Sequence, residues 1–339
     1  MKVSELLLAW QQILSGKKPS LSIEITRECP LRCPGCYAYG DSHLGEGATN
    51  LRNLADFKGE ELVRRVLEVV DAHKPLHLSI VGGDPLVRYR ELEVLLPQLM
   101  DRGIHTQVVT SAFRTIPVEW QKNKKLNVVV SVDGLAAEHD LRRRPATYER
   151  ILKSIEGHQH SISIHCTITA HMVRRSGYLK DFAELWSARP EVKRIWFSMY
   201  TPQVGEVSNE IIPWVDREKT VAALLKIAEQ YPLVDMPPGA IRNFLTPPKS
   251  PEKCTFARTT ETISADLKSR VTPCQFGGNP DCSQCGCIAS VALEAVSKYK
   301  VGGAVRAGTI MEGSIRIGQV VQGLRPAQPS KADPLPILR

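Results

Sequence analysis

The sequence predicts an α/β fold, a partial (β/α)6 barrel followed by a cysteine-rich C-terminal extension. Three observations carry that prediction. Six strand-like segments alternate with helical ones, the pattern of a parallel sheet with right-handed crossovers. Those strand-like segments keep apolar residues on one parity and polar residues on the other. A run of prolines then ends the regular pattern, and five cysteines follow within 34 residues.

At 339 residues the chain is long enough for such a barrel with an appendage. Its 42% hydrophobic and 24% charged residues exclude disordered and collagen-like classes. An amphipathic stretch, Val3 to Leu14, ends at Ser15-Gly16 and predicts an N-terminal helix within residues 1–16. Leu21 to Thr26 alternates at period two and predicts the first strand. Further strands are predicted at Leu76 to Val81, Gln107 to Thr110, Asn127 to Val132, Ile162 to Ile168 and Arg194 to Met199. Helices are predicted near Gly59 to His73, Leu92 to Arg102, Thr147 to His158, Gly177 to Ala188 and Asp216 to Gln230. The barrel spans 17–235, where Pro232, Pro237 and Pro238 open a stretch without regular pattern. A cysteine-rich region occupies 236–305. Residues 306–339 form a C-terminal segment whose last fourteen residues, with four prolines, are expected to be a mobile tail.

Strand parity bears on function. Leu78 and Ile80, Val128, Val130 and Val132, Ile162, Ile164, Cys166 and Ile168, and Ile195, Phe197 and Met199 would face the helices. His77, Ser79 and Val81, Asn127, Val129, Ser131 and Asp133, Ser163, His165 and Thr167, and Trp196, Ser198 and Tyr200 would line the inside. Filled eight-strand barrels carry bulky branched residues there, so this polar lining predicts a bound polar ligand. His77 and His165 are candidates to touch it, and Cys166 is expected to be a buried small hydrophobe.

The net charge of +8 is scattered and carries no nucleic-acid footprint. The apolar run Leu6 to Trp10 is too short for a signal core or a membrane span, so a cytoplasmic protein is expected. The basic runs Lys122 to Lys125 and Arg142 to Arg144 read as solvated faces, with docking of an acidic flavodoxin- or ferredoxin-type reductant as the functional alternative. Nine cysteines, an odd number, point to metal or catalytic use over a disulfide framework.

Cys29, Cys33 and Cys36 are spaced C-x3-C-x2-C in a Pro- and Gly-containing loop at the end of the first strand. All three can face one centre. A structural zinc site takes four protein ligands, whereas an iron–sulfur cluster held by three cysteines leaves one iron open. The motif resembles that of the radical SAM superfamily, in which the open iron chelates S-adenosylmethionine. Three further stretches extend the resemblance. Gly82-Gly83-Asp84-Pro85 is similar to the family's GGEP loop, with Asp for the usual Glu, and implies contact with the methionyl amine. Ser131 and Asp133, with Arg143 beyond Glu138-His139-Asp140, resemble a segment of the SPASM/twitch branch near ribose or substrate. Ser111 stands at the family's TNG-like strand end. The family's aromatic residue before the third cysteine is here Gly35, so adenine is expected to rest on backbone or on Tyr37.

The resemblance implies a TIM-like partial barrel, a [4Fe-4S] cluster, S-adenosylmethionine and a 5′-deoxyadenosyl radical that abstracts hydrogen from a peptide or small-molecule substrate. The Cys-x-Gly-Cys variant is also similar to the radical SAM enzyme that adenosylates a hopanoid precursor, which implies radical addition to an isoprenoid or lipid precursor as an alternative. A non-catalytic iron–sulfur or zinc protein is a further alternative, against which the GGDP loop argues. Beyond the barrel, Thr262 to Thr272 reads as a hairpin between Cys254 and Cys274. It resembles the opening of SPASM and twitch domains, which carry an auxiliary [4Fe-4S] cluster. Cys282, Cys285 and Cys287 would complete the ligands, and five cysteines suit one such cluster. A zinc knuckle or structural cysteines remain alternatives, and spacing does not select four of the five.

Overall fold

A computed structural model of the chain describes residues 3–45, 51–145, 147–301 and 304–324. Seven parallel strands form one sheet: β1 (Ser20–Glu24), β2 (His77–Val81), β3 (His105–Thr110), β4 (Leu126–Ser131), β5 (Ile162–Ile168), β6 (Val192–Met199) and β7 (Thr260–Ile263). Their spatial order is β6-β5-β4-β3-β2-β1-β7. Six strands in sequence order with helical crossovers make the predicted partial barrel. The seventh was not predicted in this place. Thr260–Ile263, the start of the hairpin between Cys254 and Cys274, pairs in parallel with β1 and extends the barrel sheet. The hairpin itself survives as the Ile263–Arg270 bridge, closed by Asp266 accepting from Lys268 and Ser269 N–H.

Local chemistry explains the crossover helices. In the helix Gly59–His73, Leu62, Val66 and Val70 recur every fourth residue and are buried, while Glu60 and Glu61 face the positive end of its dipole. It stops at Lys74, which is left-handed at φ 54° and donates its N–H to Val70 O. Its buried face belongs, with Leu21, Ile23, Leu78 and Ile80, to a single core that also holds Val128, Val130, Ile164, Cys166 and Phe197. Burying each such aliphatic side chain is worth about 1.5–3 kcal/mol relative to exposure. The helix-facing parity is therefore the apolar one, as predicted, and Cys166 belongs to it.

The C-terminal region contacts both edges of the sheet. At the β6 end, Met199 N–H donates to Gly286 O and Val204 N–H to Asn279 O; at the other edge the region contributes β7 itself. Beyond it, Ala307–Gly323 forms a helix where the sequence suggested only a terminal segment. This helix packs along Val3–Leu14 with Gly318 as the close-approach point, since a Cβ there would meet Ile13 O at 2.2 Å. The predicted mobile tail, residues 326–339, lies outside the described residues. Among the described residues no helix is long and apolar enough to cross a membrane.

Candidate active site

The three N-terminal cysteines follow β1 at the C-terminal end of the sheet, each partly buried. Burial, opposed by the bond from Leu31 N–H and reinforced by the charges of Asp84, Cys33 and Cys36, raises the Cys29 thiol to about 12. Burial raises Cys33 and Cys36 as well, with Arg143 opposing it at both. Three neighbouring thiols that resist ionisation unless a cationic group joins them are a donor set that fits an iron–sulfur cluster. Gly35, left-handed at φ 61°, shows why an aromatic residue cannot stand before the third cysteine: a Cβ there would lie 2.7 Å from Tyr200 Oη. Tyr200, from the end of β6, thus takes the space beside the loop, its hydroxyl donating to Glu206 at 2.5 Å.

The GGDP loop is pressed onto the cysteine loop. A Cβ on Gly83 would meet Glu28 O at 2.1 Å, and one on Gly82 would meet Glu24 Cβ at 2.4 Å. Asp84 N–H donates to Glu28 O at 2.9 Å. The Asp84 carboxylate itself is buried and internally engaged. Its Oδ1 accepts from Leu86 N–H and Thr110 Oγ1, and its Oδ2 from Ser111 N–H and Ser111 Oγ, at 2.6–3.0 Å. Four accepted bonds fill the carboxylate's lone pairs. Asp84 therefore locks Ser111 and the left-handed Ala112 (φ 53°) at the end of β3, and Pro85 opens a short 3-10 turn behind it.

Asp133, just beyond β4, is fully buried. It accepts from Arg142 Nη1, from Arg143 Nε at 2.8 Å and from Thr167 N–H at 3.0 Å. Burial alone would raise its pKa, but the two guanidinium groups hold it well below the ordinary carboxylate range. Arg142 also makes a two-pronged pair with Glu210. Reading Arg142 and Arg143 as a solvated face is thereby corrected: both are largely buried because two acidic groups beneath them are. Arg32 N–H donates to Arg144 O, which ties this segment to the cysteine loop. Ser131 is buried at the end of β4.

Tyr37 turns toward the C-terminal region. Its ring stands edge-on to Phe276 with centroids 5.3 Å apart. Cys254, Cys274, Cys282, Cys285 and Cys287 all line one pocket there, together with Phe256, Phe276 and Thr201. Burial, reinforced by neighbouring thiols, raises Cys274 to about 12 and Cys282 to about 11. Among the described residues no three His, Cys, Asp or Glu side chains are gathered to hold a single metal ion.

Sequence reasoning missed the buried link between the two cysteine groups. Glu24, on the inward parity of β1, accepts from Ser264 Oγ at 2.5 Å and pairs with His43 Nε2 at 2.7 Å. His43 Nδ1 donates to Phe276 O at 3.1 Å. The parity argument, applied to the first strand, exposes Glu24 as an inward carboxylate; nothing local marks His43 as its partner.

Residues 23–185 match the Radical SAM superfamily. Among solved structures the chain is similar to native anSMEcpe with bound AdoMet, at 18% identity over 80% of each chain with a TM-score of 0.56. It is also similar to Streptococcus suis SuiB bound to precursor peptide SuiA, at 16% identity over 91% of this chain and 68% of that one, TM-score 0.52. Native anSMEcpe with bound AdoMet and Kp18Cys peptide aligns at 15% identity over 90% of this chain and all of that one, TM-score 0.54. These likenesses are of fold. No curated protein matches the sequence.

Proposed function

We propose that the chain, whose residues 23–185 match the Radical SAM superfamily, cleaves S-adenosylmethionine reductively and modifies a peptide by hydrogen abstraction. In this reading Cys29, Cys33 and Cys36 hold the [4Fe-4S] cluster, and the bound cluster and S-adenosylmethionine supply a 5′-deoxyadenosyl radical. The chain's own residues orient and shield that chemistry. Gly82 and Gly83 bring backbone, unobstructed by side chains, to the cysteine loop. Asp84 acts by fixing Ser111 and the β3 end, since its own oxygens are filled. Arg143, held by Asp133 beside Cys33, and Ser131 present polar groups to the cofactor, with Asp133 setting their positions.

The barrel, residues 17–235, encloses the substrate in a lumen where Ser79, Gln107, Asn127, His165, Thr167 and Trp196 are partly exposed. A peptide is favoured because solved structures of this fold hold one. Four of the five C-terminal cysteines, in region 236–305, hold an auxiliary [4Fe-4S] cluster; their convergence on one pocket supports that assignment. An acidic flavodoxin- or ferredoxin-type protein supplies the electron.

The observation that carries this reading is the close packing of the GGDP backbone on the cysteine loop, with Asp84 N–H bound to Glu28 O. The experiment is anaerobic loading with iron and sulfide, reduction with dithionite and incubation with S-adenosylmethionine. Formation of 5′-deoxyadenosine is expected. A protein with a loaded cluster that neither binds S-adenosylmethionine nor forms deoxyadenosine would overturn the reading.

A further inference from the structure

The lumen holds one imidazole whose serine partner is itself held by a backbone N–H. His165 sits on the inward parity of β5, in register with Ser131 of β4 and Trp196 of β6. Its Nε2 lies 2.8 Å from Ser198 Oγ. That same oxygen accepts the Ile288 N–H at 3.1 Å. A serine hydroxyl has a single proton to give, and among the described residues His165 Nε2 is the acceptor within its reach. The pairing that satisfies this hydroxyl proton has Ser198 donating to Nε2, which places the imidazole's own proton on Nδ1. Burial lowers its pKa to about 4, with Asp133 and Arg143 acting in opposite senses, so the ring is neutral near pH 7. Nδ1 has no protein partner among the described residues and is not one of the sealed-off buried atoms left without one. The donor thus opens onto the lumen.

We propose that His165 contacts substrate directly, donating its Nδ1–H to an amide carbonyl oxygen of the bound peptide, and that Ser198 is the residue that positions it. The proposal rests on the reading of a peptide substrate. It also gives the C-terminal region a part in the barrel's chemistry. Ile288 opens the helix Ile288–Lys298 directly after Cys287, so the N–H that holds Ser198 beside a lumen residue comes from the cysteine-rich region. A neutral, singly oriented donor suits a carbonyl, because it binds the oxygen without bringing a charge into the lumen.

The test is nitrogen NMR of isotope-labelled histidine in the full-length protein carrying oxidised clusters, with His165→Gln assigning the signal. Nδ1 is expected to be protonated and Nε2 unprotonated, unchanged from about pH 8 to about pH 5.5. Ser198→Ala should convert this single tautomer into a mixture. A wild-type ring protonated on Nε2, or an imidazolium at neutral pH, would overturn the assignment. N-acetylglycine N′-methylamide then serves as the carbonyl probe: it should shift the Nδ1 signal, and less so in Ser198→Ala. A signal that stays put as the probe is raised overturns the substrate contact. None of these readouts needs cleavage of S-adenosylmethionine. Failure here leaves the proposed activity standing, and absence of deoxyadenosine would overturn that activity without moving the tautomer.

Discussion

The two cysteine groups are brought together by different routes. Cys29, Cys33 and Cys36 come from eight consecutive residues, and the fold's task is to press other loops onto them through Gly83 and Asp84 N–H. The five C-terminal cysteines come from separate segments: the turn before the helix Thr255–Thr259, the loop after the hairpin, the turn Cys282–Gln284 with its neighbour Cys285, and the cap of Ile288–Lys298. Only tertiary packing brings them to one pocket. A local motif announces its own geometry, whereas a pocket assembled from distant segments has a ligand set that chain spacing cannot specify.

The largest effects should fall on the local site. Cys33→Ala removes one of three thiolates with no spare nearby, so deoxyadenosine formation by the reduced protein should be abolished; retained formation would break the comparison at its first limb. The assembled pocket has one cysteine more than a cluster needs. Among five single Cys→Ser variants at 254, 274, 282, 285 and 287, four should lose about four irons per chain and one should keep them. Iron analysis in which no variant loses metal would make the pocket structural.

This contrast also sorts what the sequence disclosed. Six strands, the helices between them and the cysteine and GGDP motifs were legible because each is encoded within one short window, by period or by residue identity. Parity located Cys166 against the helices and His165 inside. What stayed hidden depended on long-range pairing. Thr260–Ile263 reads locally as one arm of a hairpin, and its parallel partner is β1, some 240 residues earlier in the chain. Arg142 and Arg143 look like a solvated run because Asp133 and Glu210 approach them only in the fold. Asp84 stands where the motif puts it, but its saturation by Thr110 and Ser111 follows from the β2–β3 register, which no window shows.

The Arg142 network and the Gly83 contact sharpen the comparison next. Arg142→Ala strips Asp133 and Glu210 of a shared partner in a largely buried place. Breaking such a pair typically costs about 3–5 kcal/mol, and the lower end is expected because Arg143 still holds Asp133. Denaturant unfolding would measure it, and a loss under about 1 kcal/mol would show the network to be solvent-screened after all. Gly83→Ala forces a methyl group onto Glu28 O. Overpacking of this kind costs about 1–3 kcal/mol, and the iron content of the first cluster should fall with it, since the displaced carbonyl belongs to the residue before Cys29.

The smallest effect concerns the link between the two groups. His43 Nδ1 faces a carbonyl and so must carry a proton, and its Nε2 faces the Glu24 carboxylate. Burial opposes a second proton, but the bonds to Glu24 and to Phe276 O win, and the pKa of His43 rises above its ordinary 6.5. A raised histidine stabilises the fold fully below the unfolded pKa, and that contribution fades as pH climbs through the folded value. The window therefore opens above pH 6.5, and each unit of elevation is worth about 1.4 kcal/mol. Unfolding free energy measured from slightly acid to mildly alkaline pH should decline more steeply in the wild type than in His43→Gln, which keeps a polar side chain but cannot be protonated. Identical slopes would mean that the proton is not held there. The link would then join the cysteine loop to Phe276 by shape alone, and the two cysteine groups would be packed neighbours without a shared charge.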